Sequence, residues 1–342
     1  MKANMKYFTG SFWFTVIAMV LGYVYGMYTT GSVAASMSMV AVIGILSVLE
    51  VSLSFDNAIV NAKILKDMDE VWRKRFVTWG MVIAVLGMRL IFPVVIVSLA
   101  GSMGMWEAFS LGFSNPTEYS RILNESHTSV AGFGGAFLLL VSLGFFFDYE
   151  KDVHWVKHVE YYLSKIGAVK SSEVLVTLSA LVGITYMLPE TEQMAFLIAG
   201  IAGVITHEVV KGLGDLMEAG EEATISVAKA GLMSLLYLEV LDASFSFDGV
   251  VASFVITKDI IIIALGLGVG AMFVRSLTLF FVAKDTLGEF KYLEHGAFWA
   301  ILSLAVIMFM STMCHIPELV SGSIAVVLIG ASLISSVLHK EE

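Results

Sequence analysis

The chain has little charge. Asp, Glu, Lys and Arg make up 15% of its 342 residues, where water-soluble domains carry about 25%. A soluble fold of this size could not cover its surface with so few charges. An ordinary soluble enzyme and a nucleic-acid binder are therefore excluded, and the 58% hydrophobic content excludes a disordered chain. Cysteine is almost missing. Cys314 stands alone, so no internal disulfide and no structural zinc site of thiolates can form. No phosphate-cradling Gly-rich loop ending in Lys-Ser/Thr is found, so nothing suggests that ATP drives the protein. His207-Glu208 does not open a zinc-peptidase motif, because Lys211 stands where the second His belongs; a polar helix end is the simpler reading. With no nucleophile–base pair either, an enzyme is not expected.

What the chain does have is long apolar runs. A membrane helix needs about 20 mostly apolar residues. Ten stretches qualify: 8–29, 38–62, 76–100, 131–148, 172–188, 194–211, 230–250, 260–283, 297–314 and 319–337. The expectation is an all-α, polytopic transmembrane helix bundle whose main partner is the lipid bilayer, with a homo-oligomer or membrane-protein partner left open. The first stretch follows Lys2 and Lys6 as a signal peptide would, but it is long for one and reads as a retained helix. With the N-terminus inside, sixteen basic residues fall in inner segments, and only Arg121 and Lys258 fall in outer ones. That asymmetry supports ten spans with both termini cytoplasmic.

Two segments resemble each other. Residues 49–59 read LEVSLSFDNAI and residues 238–251 read LEVLDASFSFDGVV. Each holds Ser-Phe-Asp, at 54–56 and 246–248, with an acid six residues before the Asp: Glu50 and Asp242. Gly80 to Arg89 and Gly266 to Arg275 follow with equal spacing, and glycine-containing apolar runs open the next spans. The charge tally runs the two copies in opposite directions through the membrane. Inverted repeats mark secondary transporters, whose substrate sits near the midplane between the halves. The chain then divides into an N-terminal helix and outer loop (1–37), a first repeat (38–150), a cytoplasmic loop with linking helices (151–229), and a second repeat with a last helix (230–342).

Glu50, Asp56, Arg89, Glu239, Asp242, Asp248 and Arg275 all fall within expected spans. Each ionised group at a bilayer centre costs on the order of 3 kcal/mol by insertion scales. They must therefore pair, face a wet cavity or bind an ion. An ion-pair network that only orients helices is one outcome, and a cation pathway is the other. Five acids against two bases leave a negative excess that calls for a cation. Glu50, Ser54 and Asn57 share one helical face, as do Glu239, Asp242, Ser246 and Gly249. Asp56 and Asp248 fall off those faces. Either the helices break near Ser-Phe-Asp, exposing carbonyls as ligands, or each Asp faces a different neighbour. Carboxylate, amide and hydroxyl oxygens suit Mg²⁺, Ca²⁺ or Mn²⁺ better than Cu or Zn. Arg89 and Arg275 either hold carboxylates of the motif helices or snorkel to the interface; pairing is the preferred reading.

At these residues the sequence resembles the TerC family of membrane proteins, in its branch of uncharacterised integral membrane proteins. Glu50-x3-Ser54-Phe55-Asp56-Asn57 is similar to that family's acid–LSxDN motif, followed by the basic Arg73-Lys74-Arg75 and the helix of Arg89. Glu239-x2-Asp242-x3-Ser246-Phe247-Asp248 is similar to its second acidic motif, followed by the helix of Arg275. The YLEHG and HIPE segments at 292–296 and 315–318 look similar too. The resemblance implies a bacterial inner-membrane protein of the LysE-like exporter group, with links to tellurium resistance, manganese efflux and metal supply for exported enzymes. The sequence departs from the pattern in two ways: Gly249 follows Asp248 where a Ser is usual, and Phe145 and Ile307 stand near places usually held by lysines.

The expected function is export of a divalent cation, Mn²⁺ first and Ca²⁺ or Mg²⁺ next, with no permanently bound cofactor. Glu50, Asp56, Asn57, Glu239, Asp242 and Asp248 are the candidate ligands or proton carriers; Ser54, Ser246, Arg89 and Arg275 support them. The alternative is a membrane scaffold for metal-stress resistance acting through loops 63–75 and 149–171. Weaker features remain. Glu150, His154 and His158 share a face of a polar stretch, as a metal sensor or, more simply, an interfacial amphipathic helix. Loop 101–130 carries Glu107, Glu118 and Glu125, as cation collectors or a solvated face. Pro93 should kink the helix near Arg89, and glycines at 132, 134, 135, 266, 268 and 270 should mark close helix packing.

Overall fold

The computed structural model describes residues 5–80, 82–218, 223–314 and 316–340, without the side chains at 67, 77, 213–218, 223–230, 247, 248, 255, 287, 318, 319, 321 and 340. Among the features singled out above, Lys2, His315 and the side chains of Lys229, Asp248, Glu318 and Lys340 lie outside the described residues. The fold is all-α, with no strand among the described residues.

Helix α1 (Thr9–Thr30) shows what surrounds the protein. It buries Ser11, Ala18, Gly22 and Gly26 and exposes Trp13, Val16, Ile17, Val20 and Val24. A helix facing water does the reverse; small residues inward and large apolar ones outward is the pattern of a helix in lipid. Helix α2 (Val33–Leu53) starts at Ser32, whose hydroxyl accepts from the Ala35 amide at 3.4 Å. It packs so closely on α1 that a Cβ on Gly26 would stand 2.8 Å from Ser36 Cα. The helix breaks at Ser54 and resumes as α3 (Phe55–Asp67). After α4 (Glu70–Arg75) come two wide, π-type stretches, Phe76–Gly80 and Ile83–Ile91, and then α5 (Phe92–Ala100). Pro93 has no N–H to give the Arg89 carbonyl, and the chain meets that deficit with wide turns ending just before it.

The expected loop 101–130 holds two helices, α6 (Met105–Ser114) and α7 (Pro116–Glu125). Asn115 caps α7, its side chain accepting from the Glu118 amide at 3.2 Å. Arg121 holds Glu118 at 2.6 Å and Glu125 at 2.5 Å, so these acids form a surface triad with their own cation. The remaining helices are α8 (His127–Phe146), α9 (Lys157–Ile166), α10 (Ser172–Thr185), α11 (Glu190–Glu218), α12 (Ala223–Ile256), α13 (Ile260–Ala283), α14 (Thr286–Glu289), α15 (Leu293–Ser311) and α16 (Glu318–Lys340).

Among the described residues eight helices are long and apolar enough to cross a membrane, where the sequence predicts ten spans. Helix α10 has 14 residues, about 21 Å at 1.5 Å per residue, short of a hydrocarbon core of about 30 Å. Helix α12 has 34 residues, enough to cross, but the side chains at 223–230, 247, 248 and 255 lie outside the described residues, so it is not counted among the eight.

Helices α8 and α13 are 72% buried along their apolar windows and α15 is 56% buried, whereas α1, α2 and α16 are each 22% buried. The first three form the interior and the last three the lipid-facing wall. Glycines let them approach. A Cβ on Gly132 of α8 would meet the Phe196 carbonyl of α11 at 2.7 Å, and one on Gly266 of α13 would meet Leu46 of α2 at 2.6 Å. A Cβ on Gly134, Gly135 or Gly270 would come within 2.7 Å of a side chain on a neighbouring helix, and one on Gly268 within 3.2 Å of Val85, so all six glycines singled out in the sequence serve packing.

Candidate functional site

The site grows from the break in the first motif. Ser54 departs from helical geometry (φ −109°, ψ 19°), while its amide still bonds the Glu50 carbonyl at 3.0 Å. Its hydroxyl turns back and donates to Glu50 Oε1 at 3.1 Å. A serine that bonds locally competes with continued helix. Asp56 then falls in the first turn of α3, where the helix dipole favours a negative charge.

Arg89 joins the two motifs. One arm of its guanidinium donates to Glu50 Oε1, and the other donates to Asp242 Oδ2 at 3.3 Å and to the Ala84 carbonyl at 2.8 Å. Glu50, Arg89 and Asp242 are all buried. The Ala84 contact depends on the wide winding of Ile83–Ile91, which places both residues in one stretch. Gly249 closes the approach from the other side: a Cβ there would stand 3.0 Å from Glu50 Oε2. The two Ser-Phe-Asp regions therefore meet in the interior.

Arg275 occupies a looser pair. Its nearest guanidinium nitrogen is 3.8 Å from Glu239 Oε1, too long for a hydrogen bond, and its plane lies 4.0 Å from the Phe76 ring centre. Gly80 makes room for this pair, since a Cβ there would come within 2.7 Å of Glu239 Oε1 and 2.8 Å of Arg275. Both Glu239 oxygens, one Arg275 nitrogen and the Ser246 hydroxyl are buried without a hydrogen-bond partner. So are Asp56 Oδ1, Asn57 Oδ1 and Asn61 Oδ1. Buried polar atoms in that state are costly unless something visits them.

Asn61 is the residue that sequence reasoning missed. It extends the stripe Glu50, Ser54, Asn57 by one more helical turn, and that spacing is the signal that finds it. With Arg89, Asp242 and Arg275 it lines a cavity of about 10 Å³, at the lower limit for one water. Asp56 and Asn57 are buried but do not line it. Where the sequence left open a broken helix or separate neighbours for each Asp, the first motif breaks and the second, within α12, does not. Among the described residues no three His, Cys, Asp or Glu side chains converge as a metal cage; Arg89 stands between Glu50 and Asp242, so charges of opposite sign alternate there.

The weaker features resolve simply. His207 is buried with Nδ1 3.0 Å from its neighbour Glu208. Glu150 and His154 precede α9, so they share no helical face with His158. The cause is Glu160. Its fully buried carboxylate accepts from the amides of Trp155 at 3.1 Å and Val156 at 3.3 Å, which turns the chain into α9 only at Lys157. It also binds His295 Nδ1 at 2.8 Å and Trp299 Nε1 at 2.9 Å on α15. Burial raises its pKa, but the bonds and charge of His295, Trp299 and Lys151 outweigh that and hold it at about 2.

Apolar helices turned toward lipid around a buried line of acids and arginines define a polytopic, all-α membrane protein with a charged interior. The chain belongs to the family described as protein of unknown function DUF475, whose model matches residues 55–342. No curated protein and no solved structure matches it. The match takes in Asp56, Asn57, both arginines and the whole second motif, and begins just after Glu50 and Ser54.

Proposed function

We propose that the protein is a membrane transporter that moves a divalent cation, with Mn²⁺ the preferred substrate and Ca²⁺ or Mg²⁺ the nearest alternatives. One observation carries this reading: the interior holds more carboxylates than arginines, and Asp56 Oδ1 and both oxygens of Glu239 lack hydrogen-bond partners. Asp56, Asn57 and Asn61 on α3 each offer a hard oxygen donor without a hydrogen-bond partner, Asn61 on the wall of the cavity it shares with Arg89 and Arg275. Glu50, Asp242 and Asp248 complete the proposed path. Arg89 neutralises Glu50 and Asp242 when the path is empty, and an entering cation takes over that task. Arg275 does the same for Glu239. The two motif regions belong to inverted repeats, 38–150 and 230–342, which rock against each other to open the path to either side. The same reading places the protein in the bacterial inner membrane as a non-enzymatic exporter similar to the TerC family, with both termini in the cytoplasm. The scaffold alternative is less favoured, because Glu160 holds the 149–171 segment against the bundle and does not leave it free for recruitment.

The test is metal accumulation in cells expressing the wild type or an Asp56→Ala/Asp248→Ala variant. Lower cell manganese with the wild type than with the variant is expected. Identical manganese in all strains, with both proteins present in the membrane, removes the transport reading.

A further inference from the structure

At one end of the bundle, the chain around α9 closes with the start of α15 and the end of α16 over a cavity of about 820 Å³, the size of a small-molecule site. Its walls carry Lys151, Lys157 and Lys291 and the imidazoles of His154, His158 and His339, against a single carboxylate, Asp152. A chain of net charge −10 thus builds a local cavity of the opposite sign. Lysines interleaved with the histidines repel a metal ion, and the cavity asks for an anion rich in acceptor oxygens.

Two further observations point the same way. Lys151 Nζ and His154 Nδ1 are buried without a hydrogen-bond partner. The nearest carboxylate to Lys151, Glu160 at 3.7 Å, is already taken by Trp155, Val156, His295 and Trp299. Burial pushes the Lys151 ammonium down to about 8, against the pull of Glu160 and Glu294. The Glu160 bonds also fix α9 to α15, so the cavity is built before any ligand arrives. Tyr149, Tyr161 and Tyr162 line it while remaining exposed at its mouth. Tyrosine rings in such positions sit at the headgroup level of a bilayer, and basic pockets at the ends of membrane helices hold anionic headgroups.

We propose that this cavity binds the phosphate of an anionic phospholipid headgroup, with Lys157 and Lys291 supplying charge and the buried Lys151 and His154 nitrogens supplying hydrogen bonds. The site is independent of the transport reading, and its test reads binding alone. The full-length protein, purified in neutral detergent, is titrated with phosphatidylglycerol, phosphatidylcholine or inorganic phosphate while thermal unfolding is followed. Phosphatidylglycerol is expected to raise the unfolding temperature above that in phosphatidylcholine. Lys157→Ala/Lys291→Ala, at two exposed positions, is expected to weaken that response about fivefold per lysine and to leave the phosphatidylcholine value unchanged. If the double variant is less stable in phosphatidylcholine, Lys157→Gln alone takes its place with the same expectation. Equal responses to the two lipids, or an undiminished phosphatidylglycerol response in the variant, overturn the site. A response to inorganic phosphate as large as that to phosphatidylglycerol overturns the lipid assignment.

Discussion

The two acid-bearing helices start from almost the same string and end in different states. In the first, Ser54 bonds back to Glu50 and the helix breaks; in the second, Ser246 has no partner and α12 runs unbroken through Gly249. In the first, Glu50 is held by a serine and an arginine; in the second, Glu239 faces Arg275 at 3.8 Å without a hydrogen bond. The lesson concerns what breaks a membrane helix. A glycine alone does not, because lipid offers nothing to the freed backbone groups. The bond that Ser54 makes back to Glu50 accompanies the break and compensates for the irregular turn, whereas Ser246, one turn after the buried Asp242, makes no such bond and its helix continues. The result is a tight half and a loose half around one charged interior.

The largest effect that tests this difference comes from the arginines. Arg89→Ala leaves Glu50 and Asp242 buried and uncompensated, and a loss of about 3–5 kcal/mol is expected. Arg275→Ala, at the looser pair, should cost clearly less. Denaturant unfolding in detergent measures both, and equal losses would erase the distinction between the halves. Next come the serines. Ser54→Ala removes a hydrogen bond to a buried charged group, for which about 1.5–3 kcal/mol is expected. Ser246→Ala removes no bond and takes away a buried, unpartnered hydroxyl, so no loss and a gain of about 1 kcal/mol are expected.

A smaller effect asks whether the difference extends to the ends of the bundle, where Glu160 ties α9 to α15. Its folded pKa of about 2 lies below the ordinary 4.5, so its contribution is complete above pH 4.5 and drains away as pH falls toward 2. Glu160→Gln should flatten the stability profile in that window, as followed by thermal unfolding between pH 5 and 3. An unchanged profile would mean that the latch holds nothing. The smallest effect is Gly249→Ala. Its Cβ would stand 3.0 Å from the flexible end of Glu50, while alanine favours helix by about 1 kcal/mol. The two should nearly cancel; a large loss would show that the Glu50 carboxylate cannot shift.

Much of the fold was legible because hydrophobic runs report directly on lipid. Among the described residues eight of the ten runs became long apolar helices, α10 fell short through length, and α12 is long enough but only partly described. The glycines at 132 and 266 were legible as packing residues because lipid leaves contact between helices to small side chains. The site was legible as a set, since charged residues in apolar runs are conspicuous. Their partners were not. Nothing in the spacing of Arg89 says that it reaches Asp242, 153 residues away. Glu160 lay hidden in a polar stretch, because its role depends on His295 and Trp299 arriving from α15. Asn61 needed only one more turn of the stripe that already held Glu50, Ser54 and Asn57.

By itself the sequence determined that the chain folds as helices in lipid with acids drawn inward, because hydrophobicity and charge act residue by residue along the chain. Only the tertiary structure decided which acids are neutralised and which oxygens stay unpartnered. Ion pairs depend on distances of a few ångströms between helices, and those distances are set where Gly80, Gly249 and Gly270 let segments far apart in the chain come close.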